Sequence, residues 1–353
     1  MALAHAYSLD AYPLAKCLDG SAARYYLRLG SDPKRWLIFH EGGGFCTSIN
    51  DCSQRAKSYL GSTVADAPTL KLDRFYFSQD AQASPFLSTA THVYIRYCDG
   101  AYYSGDREEP VLQSDGPPIY FRGRHITTAV IDDLYARHAL ASASDIVFGG
   151  CSAGAIRLYA HLDALRALMP NTTVVGFADS GFYLDVEMFT PLKHFVTAVD
   201  GQNATALLAP ACKKQNVGTE QRCLVAQVSS AFLRTPTFAF QSRYDVDQRS
   251  CEMPPSCAAS TACVNSYGAN STRAMHAWLR HSPSPHAAFI DACSRHCDDG
   301  PHVVDPLAMQ AGGLSPLQAF AAWHASLSNG RLAPAVWQQP GSYPCRACCT
   351  SPS

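Results

Sequence analysis

The stretch Ile146–Ala155, with the sequence IVFGGCSAGA, constrains the fold of this chain more than any other. It contains Gly150-Cys-Ser-Ala-Gly154, which fits the G-x-S-x-G pattern of a nucleophile held on a sharp turn between a strand and a helix. Strand and helix cross closely at such a turn, so the positions two before and two after Ser152 must be nearly free of side chain, and both are glycine. Apolar residues recur at helical spacing after the turn: Ile156, Tyr159, Leu162, Leu165 and Leu168. The stretch predicts a strand, a turn exposing the Ser152 hydroxyl and a helix, with a plain Gly/Ser turn as the alternative.

A second glycine-rich turn follows the apolar strand predicted at Trp36–Phe39. Its glycine triplet ends with Gly43 and Gly44. Hydrolases with a nucleophile on a strand–helix turn take part of their oxyanion hole from an early loop of this kind, through backbone N–H groups. We therefore expect Gly43 and Gly44 to donate to the oxyanion together with Ala153, the residue after the candidate nucleophile. A flexible turn without a catalytic role is the alternative.

Strand-like and helical segments alternate over roughly 150 residues, a pattern that favours a parallel sheet flanked by helices. With the nucleophile turn, this predicts an α/β fold of the α/β-hydrolase type, with a mostly parallel central sheet. No repeat or linker divides the chain, so residues 1–353 are predicted to form a single domain. Two cysteine-containing segments, about 182–234 and 249–270, are predicted to be disulfide-linked cap or loop excursions, and a helix is predicted at Ser271–His281.

The partners of Ser152 are expected later in the chain, because this fold places an acid after a late strand and a histidine in a loop beyond it. Asp245 directly follows the strand predicted at Thr235–Phe240, and His296 lies in a later loop. On position alone, two other residues could be the acid and one other could be the base: Asp179 and Asp247 for the acid, and His302 for the base. In the preferred assignment His296 accepts the Ser152 proton and Asp245 orients its imidazole, which is the chemistry of acyl transfer.

Fifteen cysteines and three N-x-S/T sequons, at Asn171, Asn203 and Asn270, indicate an oxidising, secretory setting with possible N-glycosylation. The spacings Cys293-x3-Cys297 and Cys345-x2-Cys348 resemble those of metal ligands, but the sequons and the scatter of the other cysteines favour disulfides. Fifteen is an odd number, so at least one thiol is expected to be unpaired, and Cys151 and Cys98 are the candidates. No metal site is predicted.

The charge pattern excludes some partners. The formal net charge is −1 and no block of lysine and arginine occurs, so nothing indicates binding to nucleic acid or to an anionic membrane. No apolar run approaches the ~18 residues of a membrane span. The first fourteen residues lack the features of a signal peptide, and we expect a trimmed mature form of a secreted protein.

A series of motifs in unbroken order, from about residue 16 to residue 300, closely resembles the pectin acetylesterase family, which also includes the Notum carboxylesterases. The motifs are Lys16-Cys-Leu-Asp-Gly20, Glu41-Gly-Gly-Gly-Phe-Cys46, Arg96-Tyr-Cys-Asp-Gly100, Phe121-Arg-Gly123, Gly150-Cys-Ser-Ala-Gly154, Asp179-Ser-Gly-Phe182, Tyr244-Asp245 and Cys293-Ser-Arg-His-Cys297. The resemblance implies a secreted serine esterase with an α/β-hydrolase fold, with Ser152 as nucleophile, Asp245 as acid and His296 as base. It also implies that Gly43, Gly44 and Ala153 supply the oxyanion hole.

The chain departs from the family pattern at three places. Phe45 stands where plant members usually have tryptophan, Ala155 stands where a third glycine is common, and Asp-Ala precedes Cys293 in place of an Asn-containing stretch. The first two changes affect pocket walls and therefore the choice of acyl or alcohol group. Gly44, at a position where Notum-like members have tryptophan, favours the polysaccharide deacetylases.

These observations predict a secreted carboxylic-ester hydrolase that removes acetyl groups from a polysaccharide such as pectin. A Notum-like lipid deacylase and an inactive, disulfide-rich carbohydrate-binding protein are the alternatives. An ester substrate is the expected partner, the chain is expected to be a monomer, and no cofactor is expected.

Overall fold

The computed structural model of the protein describes residues 3–187, 195–198, 201–206, 208–297, 308–329, 335–345 and 347–349. The strands are β1 Leu3–Ser8, β2 Arg24–Arg28, β3 Asp32–His40, β4 Thr69–Lys71, β5 Ala90–Ile95, β6 Val111–Gln113, β7 Gly116–Ile119, β8 Asp145–Cys151, β9 Thr173–Asp179, β10 Thr237–Ser242, β11 Ala287–Asp291 and β12 Val336–Gln338. The α-helices are α1 Ile49–Arg55, α2 Gly123–Arg137, α3 Ala153–Ala167, α4 Pro210–Gln215, α5 Ala226–Ser229, α6 Val246–Glu252, α7 Pro255–Ala258, α8 Thr261–His281 and α9 Pro316–Asn329.

Ten of these strands form one sheet in the order β12-β11-β10-β9-β8-β3-β5-β2-β1-β4. The pairs from β12 to β5 are parallel, and those joining β5, β2, β1 and β4 are antiparallel. The predicted mostly parallel sheet with flanking helices is confirmed. Parallel strands end at the same edge of a sheet, so the loops after β3, β8, β9, β10 and β11 meet there.

The sheet buries a different apolar cluster on each face. Strand β3 shows the alternation that causes this, because Trp36 and Ile38 join one cluster while Leu37 and Phe39 join the other. The first cluster includes Ile126 and Leu134 of α2, Leu158 and Leu162 of α3, and Val264 and Met275 of α8. The second includes Phe177, Phe238 and Phe289 of the sheet, and Phe320 and Trp323 of α9. Helices thus cover both faces, which leaves the edge of the sheet for a site.

The prediction for residues 249–270 is wrong in its second half. Helix α8 begins at Thr261, ten residues before the predicted start, and its N-cap Ser260 accepts a hydrogen bond from the Cys263 N–H. Val264 is fully buried and belongs to the core. Gly268 lies against the ring of Tyr244, where a larger residue would collide. Residues 261–270 are therefore part of a core helix and not a loop excursion.

All fifteen cysteines lie within the described residues, and fourteen of them form seven disulfides. The pairs are Cys17–Cys98, Cys46–Cys52, Cys151–Cys297, Cys212–Cys223, Cys257–Cys263, Cys293–Cys349 and Cys345–Cys348. The free thiol is Cys251 in α6, so the prediction of a free Cys98 or Cys151 is wrong. Both of those residues end up at the sheet edge, where loops distant in sequence bring them a partner.

Helices within the described ranges are either too short or too polar to cross a lipid bilayer.

Candidate active site

Ser152 lies on a strained turn between β8 and α3. Its backbone has φ 53° and ψ −119°, its N–H donates to the Asp179 carbonyl at 2.9 Å, and it is 6% exposed. A side chain at Gly150 would collide with the main chain of Gly154, and one at Gly154 would collide with the carbonyl of His40. The two glycines are thus needed for the close crossing that the sequence pattern predicts.

The glycine triplet after β3 lies beside Ser152. A Cβ placed on Gly42 would come within 3.1 Å of the Ser152 Cβ. Arg55 donates through Nη1 to the Gly43 carbonyl at 2.6 Å, and the Tyr97 hydroxyl donates to the Gly44 carbonyl at 2.5 Å. These bonds fix the loop by its carbonyl groups.

The N–H groups that the sequence singled out remain available in this arrangement. Within the part of the chain that the structure describes, the N–H groups of Gly43, Gly44 and Ala153 have no acceptor. Gly43 has φ +151° and Gly44 has φ +67°, and a side chain on Gly43 would meet Tyr97 and Leu60. Positive φ at both positions explains why glycine stands there.

His296 and Asp245 are brought together from loops after β11 and β10. The His296 Nδ1 lies 2.8 Å and 2.9 Å from the two Asp245 carboxylate oxygens. Asp245 is fully buried and is also the N-cap of α6, where its Oδ1 accepts the N–H groups of Asp247 and Gln248 at 3.0 Å each. A carboxylate at Nδ1 makes that nitrogen the donor and leaves Nε2 for chemistry.

The two alternative acids, Asp179 and Asp247, do not contact Nδ1 of His296 as Asp245 does. Asp179 is fully buried and its Oδ1 accepts from Arg295 Nη1 at 2.9 Å. Asp247 lies on the other side of the imidazole, with its Oδ2 3.9 Å from Nε2 of His296. The competing histidine, His302, lies outside the described residues.

Two links tie the His296 loop to the Ser152 turn. The disulfide Cys151–Cys297 joins the residue before Ser152 to the residue after His296, with 5.8 Å between its Cα atoms. Consecutive Cα atoms are about 3.8 Å apart, so the Cα atoms of Ser152 and His296 lie within about 13 Å of each other.

Arg295 forms the second link, and sequence reasoning missed it. Its guanidinium bridges Asp179 at the end of β9 and Asp291 at the end of β11, at 2.9 Å and 2.8 Å. It is 3% exposed and stacks on Phe240 at 3.6 Å. The Asp179 carbonyl accepts the Ser152 N–H, so this network reaches from the candidate base loop to the candidate nucleophile. Nothing in the sequence marks Arg295 as buried, because its partners come from distant strands.

The charges around His296 decide its protonation. Burial lowers the pKa of its imidazole, but the charge and hydrogen bond of Asp245, with the charge of Asp247, outweigh that effect and raise the pKa to about 9. The buried His40 differs, because burial and the charge of Arg157 lower its pKa to about 3. Its Nδ1 lies 3.1 Å from the Gly149 carbonyl, so His40 is a neutral structural residue.

The cysteines with metal-like spacing are all used in disulfides. Over the described residues, no group of three or more histidine, cysteine or acidic side chains is arranged to hold a metal ion.

The sequons differ in accessibility. Asn171 and Asn270 are exposed. The Asn203 side chain is half-buried and its Nδ2 donates to the Asp106 carbonyl at 3.1 Å.

Comparison with known proteins identifies the family. The family model described as Pectinacetylesterase matches residues 9–349. The chain is 26% identical to Pectin acetylesterase 7 of Arabidopsis thaliana over 310 residues, which are 81% of this chain and 77% of that protein. It is 30% identical to Palmitoleoyl-protein carboxylesterase NOTUM of Drosophila melanogaster over 263 residues, 69% of this chain and 38% of that protein.

The fold is also that of a solved relative. The structure of the Wnt deacylase Notum from Drosophila superposes with a TM-score of 0.80 and 25% identity, over 96% of this chain and 98% of that one. The resemblance predicted from the motifs is confirmed. Because the family model spans almost the whole chain and these relatives cleave carboxylic esters, the chain belongs to the pectinacetylesterase family and is a carboxylic-ester hydrolase.

Proposed function

We propose that this protein is a secreted serine esterase that removes O-acetyl groups from a polysaccharide, pectin being the substrate that the names of its plant relatives suggest. Ser152 is the nucleophile, His296 the general base and Asp245 the acid that orients it. The observation that carries the proposal is the pair of contacts between His296 Nδ1 and the buried Asp245 carboxylate, in a loop tied to the Ser152 turn by a disulfide.

In the proposed reaction Ser152 Oγ attacks the ester carbonyl while neutral His296 takes its proton at Nε2. The resulting oxyanion accepts hydrogen bonds from the N–H groups of Gly43, Gly44 and Ala153. His296 then returns the proton to the leaving alcohol, and water releases acetate from Ser152 by the same steps. Removal of one oxyanion donor in comparable enzymes costs about 10²–10³ in rate.

The same proposal assigns residues 1–353 to one catalytic domain. Its support is the single ten-stranded sheet, which takes strands from β1, near the first described residue, to β12, near the last. The described parts of the segment at about 182–234, which contain α4 and α5, then belong to a cap on that domain.

Secretion is supported by the disulfides, because such bonds persist in oxidising compartments. Among the sequons, exposure favours glycosylation at Asn171 and Asn270 over Asn203, whose side-chain amide is engaged. Expression through a secretory pathway followed by enzymatic removal of N-glycans tests this. We expect the mobility shift to disappear in Asn171→Gln/Asn270→Gln, and a shift that persists there would contradict the assignment.

The esterase proposal is tested with p-nitrophenyl esters from acetate to palmitate. Wild type, Ser152→Ala and the control Ser266→Ala, at an exposed position of α8, are compared. Preference for acetate, lost in Ser152→Ala and kept in the control, supports the deacetylase. Preference for long acyl chains moves the assignment to a Notum-like lipid deacylase, which the fold similarity keeps open.

A fluorophosphonate probe separates the remaining alternative. We expect the probe to modify Ser152 in the folded protein. If no ester hydrolysis depends on Ser152 and the probe does not label it, the serine-esterase proposal is wrong, and the carbohydrate-binding alternative is tested next.

A further inference from the structure

The imidazole of His296 has a carboxylate near each of its nitrogens. Asp245 occupies the Nδ1 side, and Asp247, in the first turn of α6, has its Oδ2 3.9 Å from Nε2. The Tyr183 hydroxyl donates to that same Asp247 oxygen at 2.8 Å. The Asp247 N–H donates to Asp245 at 3.0 Å, so its backbone and its side chain are both held. The esterase mechanism described above uses Asp245 and leaves Asp247 without a role.

In the part of the chain that the structure describes, the cationic group paired with Asp247 is the imidazole of His296 itself, once it is protonated. Across the described residues, no lysine or arginine forms an ion pair with Asp247. The third carboxylate that acts on His296 is Asp179 at the end of β9, and it is paired with Arg295. On α6 itself, Arg249 donates to the Ser294 hydroxyl at 3.0 Å, and burial raises the pKa values of Cys251 and Glu252, which favours their neutral forms. The side chain of Asp247 is 46% exposed, so its charge also reaches the solvent side of the site.

The position of Asp247 is next to the leaving group. Nε2 returns the proton to the departing alcohol, which requires the alcohol oxygen to lie about 3 Å from this nitrogen. Since Asp247 Oδ2 lies 3.9 Å from the same nitrogen, the two oxygens lie at most about 7 Å apart. The carboxylate of a uronate lies a few ångströms from its acetylated oxygen, so a charge on the alcohol fragment lies about 10 Å from Asp247.

Building on the proposed function, we propose that Asp247 is a positioning and specificity-determining residue. Its carboxylate, 3.9 Å from Nε2, stabilises the protonated imidazole of His296 electrostatically, and it disfavours esters whose alcohol fragment bears a negative charge. The preferred substrate is thus an O-acetyl group on a neutral sugar, which includes a uronate whose carboxyl group is methyl-esterified, and not an O-acetyl group on a free uronate.

Coulomb's law gives the size of the effect. For two like charges about 10 Å apart, Coulomb repulsion lowers kcat/KM about 2-fold in bulk water and about 16-fold at an effective dielectric constant of about 20, so we expect a reduction of roughly 3–10-fold at this half-exposed position. The discrimination must weaken as salt is added, because the Debye length falls from about 10 Å at 0.1 M to about 3 Å at 1 M ionic strength.

The experiment uses two acetylated galacturonan oligosaccharides that differ only in whether their carboxyl groups are free or methyl-esterified. Acetate release by wild type is expected to be about 3–10-fold more efficient on the esterified form at low salt. In the isosteric Asp247→Asn the ratio falls towards one, and the pH midpoint of kcat/KM moves to lower pH. Asp247→Glu keeps the charge and most of the ratio between the two substrates. Tyr183→Phe reduces the ratio, because it removes the hydrogen bond that holds the Asp247 carboxylate beside Nε2.

Equal losses on both substrates in Asp247→Asn, with an unchanged ratio and pH midpoint, would overturn the proposal and leave Asp247 a structural role. Failure of the esterase assignment is distinguishable, because acetate release from both substrates would then be the same in wild type and Ser152→Ala. Circular dichroism checks that each variant is folded, which we expect because Asp247 is half-exposed and Tyr183→Phe removes only a hydroxyl group from a buried ring.

Discussion

The protonation of His296 leads to a quantitative prediction for the pH dependence of activity. Its pKa of about 9 means that the free enzyme holds a protonated imidazole at neutral pH, whereas a general base must be neutral. The neutral fraction is then about 1% at pH 7 and about 10% at pH 8. We expect kcat/KM for p-nitrophenyl acetate to rise close to tenfold per pH unit from pH 6 to 8, and to level off above about pH 9.

The assay follows initial rates from pH 5.5 to 10 at constant ionic strength. Ser152→Ala measured in parallel supplies the rate of alkaline hydrolysis, which is subtracted at each pH. If kcat/KM already reaches its plateau at pH 7, the pKa of His296 is not raised, and the carboxylates of Asp245 and Asp247 do not outweigh the effect of burial on that pKa. A flat profile throughout would count against a histidine base.

The same ionisation affects stability, with a definite sign. The folded-state pKa of His296 lies above its ordinary value of 6.5, so folding is favoured by its proton. This contribution is complete below about pH 6.5 and is lost as the pH rises through about 9; its size is on the order of 3 kcal/mol. The advantage of wild type over His296→Asn in free energy of unfolding, measured with urea, should therefore shrink between pH 6 and pH 10. An advantage that is constant over this range would contradict the sign.

Three further perturbations test the packing and the charges around the site. Gly154→Ala should lower the free energy of unfolding by about 3 kcal/mol or more, because the added methyl group meets the main chain. Its control, Gly218→Ala, has open space around it and should cost only about 1 kcal/mol because of the positive φ. Equal losses in urea denaturation would refute the packing argument. Cys151→Ala/Cys297→Ala should lower the free energy of unfolding by about 2–4 kcal/mol and also lower kcat, and an unchanged kcat would show that the disulfide does not position the site. Burial raises the pKa of Glu252 to about 8, so the folded protein favours the protonated carboxyl; this contribution to stability is complete below about pH 4.5 and is lost as the pH rises through 8. The free energy of unfolding of Glu252→Gln should therefore rise relative to that of wild type between pH 4.5 and pH 8. A difference that stays constant over this interval would contradict the prediction.

The parts of the site that the sequence predicts best are those set by local chain geometry. The turn at Ser152 needs glycine two residues away on each side, and that requirement is visible in a pentapeptide. The acid and the histidine are harder, because a sequence shows only their order along the chain. Only the structure distinguishes Asp245 from Asp247: Asp245 contacts Nδ1 of His296, and Asp247 lies near Nε2.

Features that depend on distant contacts could not be predicted. The partner of Cys151 is 146 residues away, and only the meeting of two loops at the sheet edge selects it. The start of α8 is hidden in the sequence for a similar reason: its first turns carry polar residues and a glycine, and they are stabilised by burial of Val264 and by close contact of Gly268 with Tyr244. Local propensity is a weak guide where tertiary packing decides.

In the proposed mechanism, the arrangement at His296 links the general base to substrate choice. A base with a single carboxylate at Nδ1 has its tautomer fixed and its other nitrogen open to the alcohol. Asp247 adds a second negative charge on the Nε2 side, which strengthens the hold on the proton and therefore moves the working range to higher pH. Under the proposal for Asp247 the same charge acts on the alcohol fragment, so the shift in pH and the preference for neutral sugars have one physical origin. They should consequently change together in every variant of Asp247, and a variant that separates them would show that they arise from different groups.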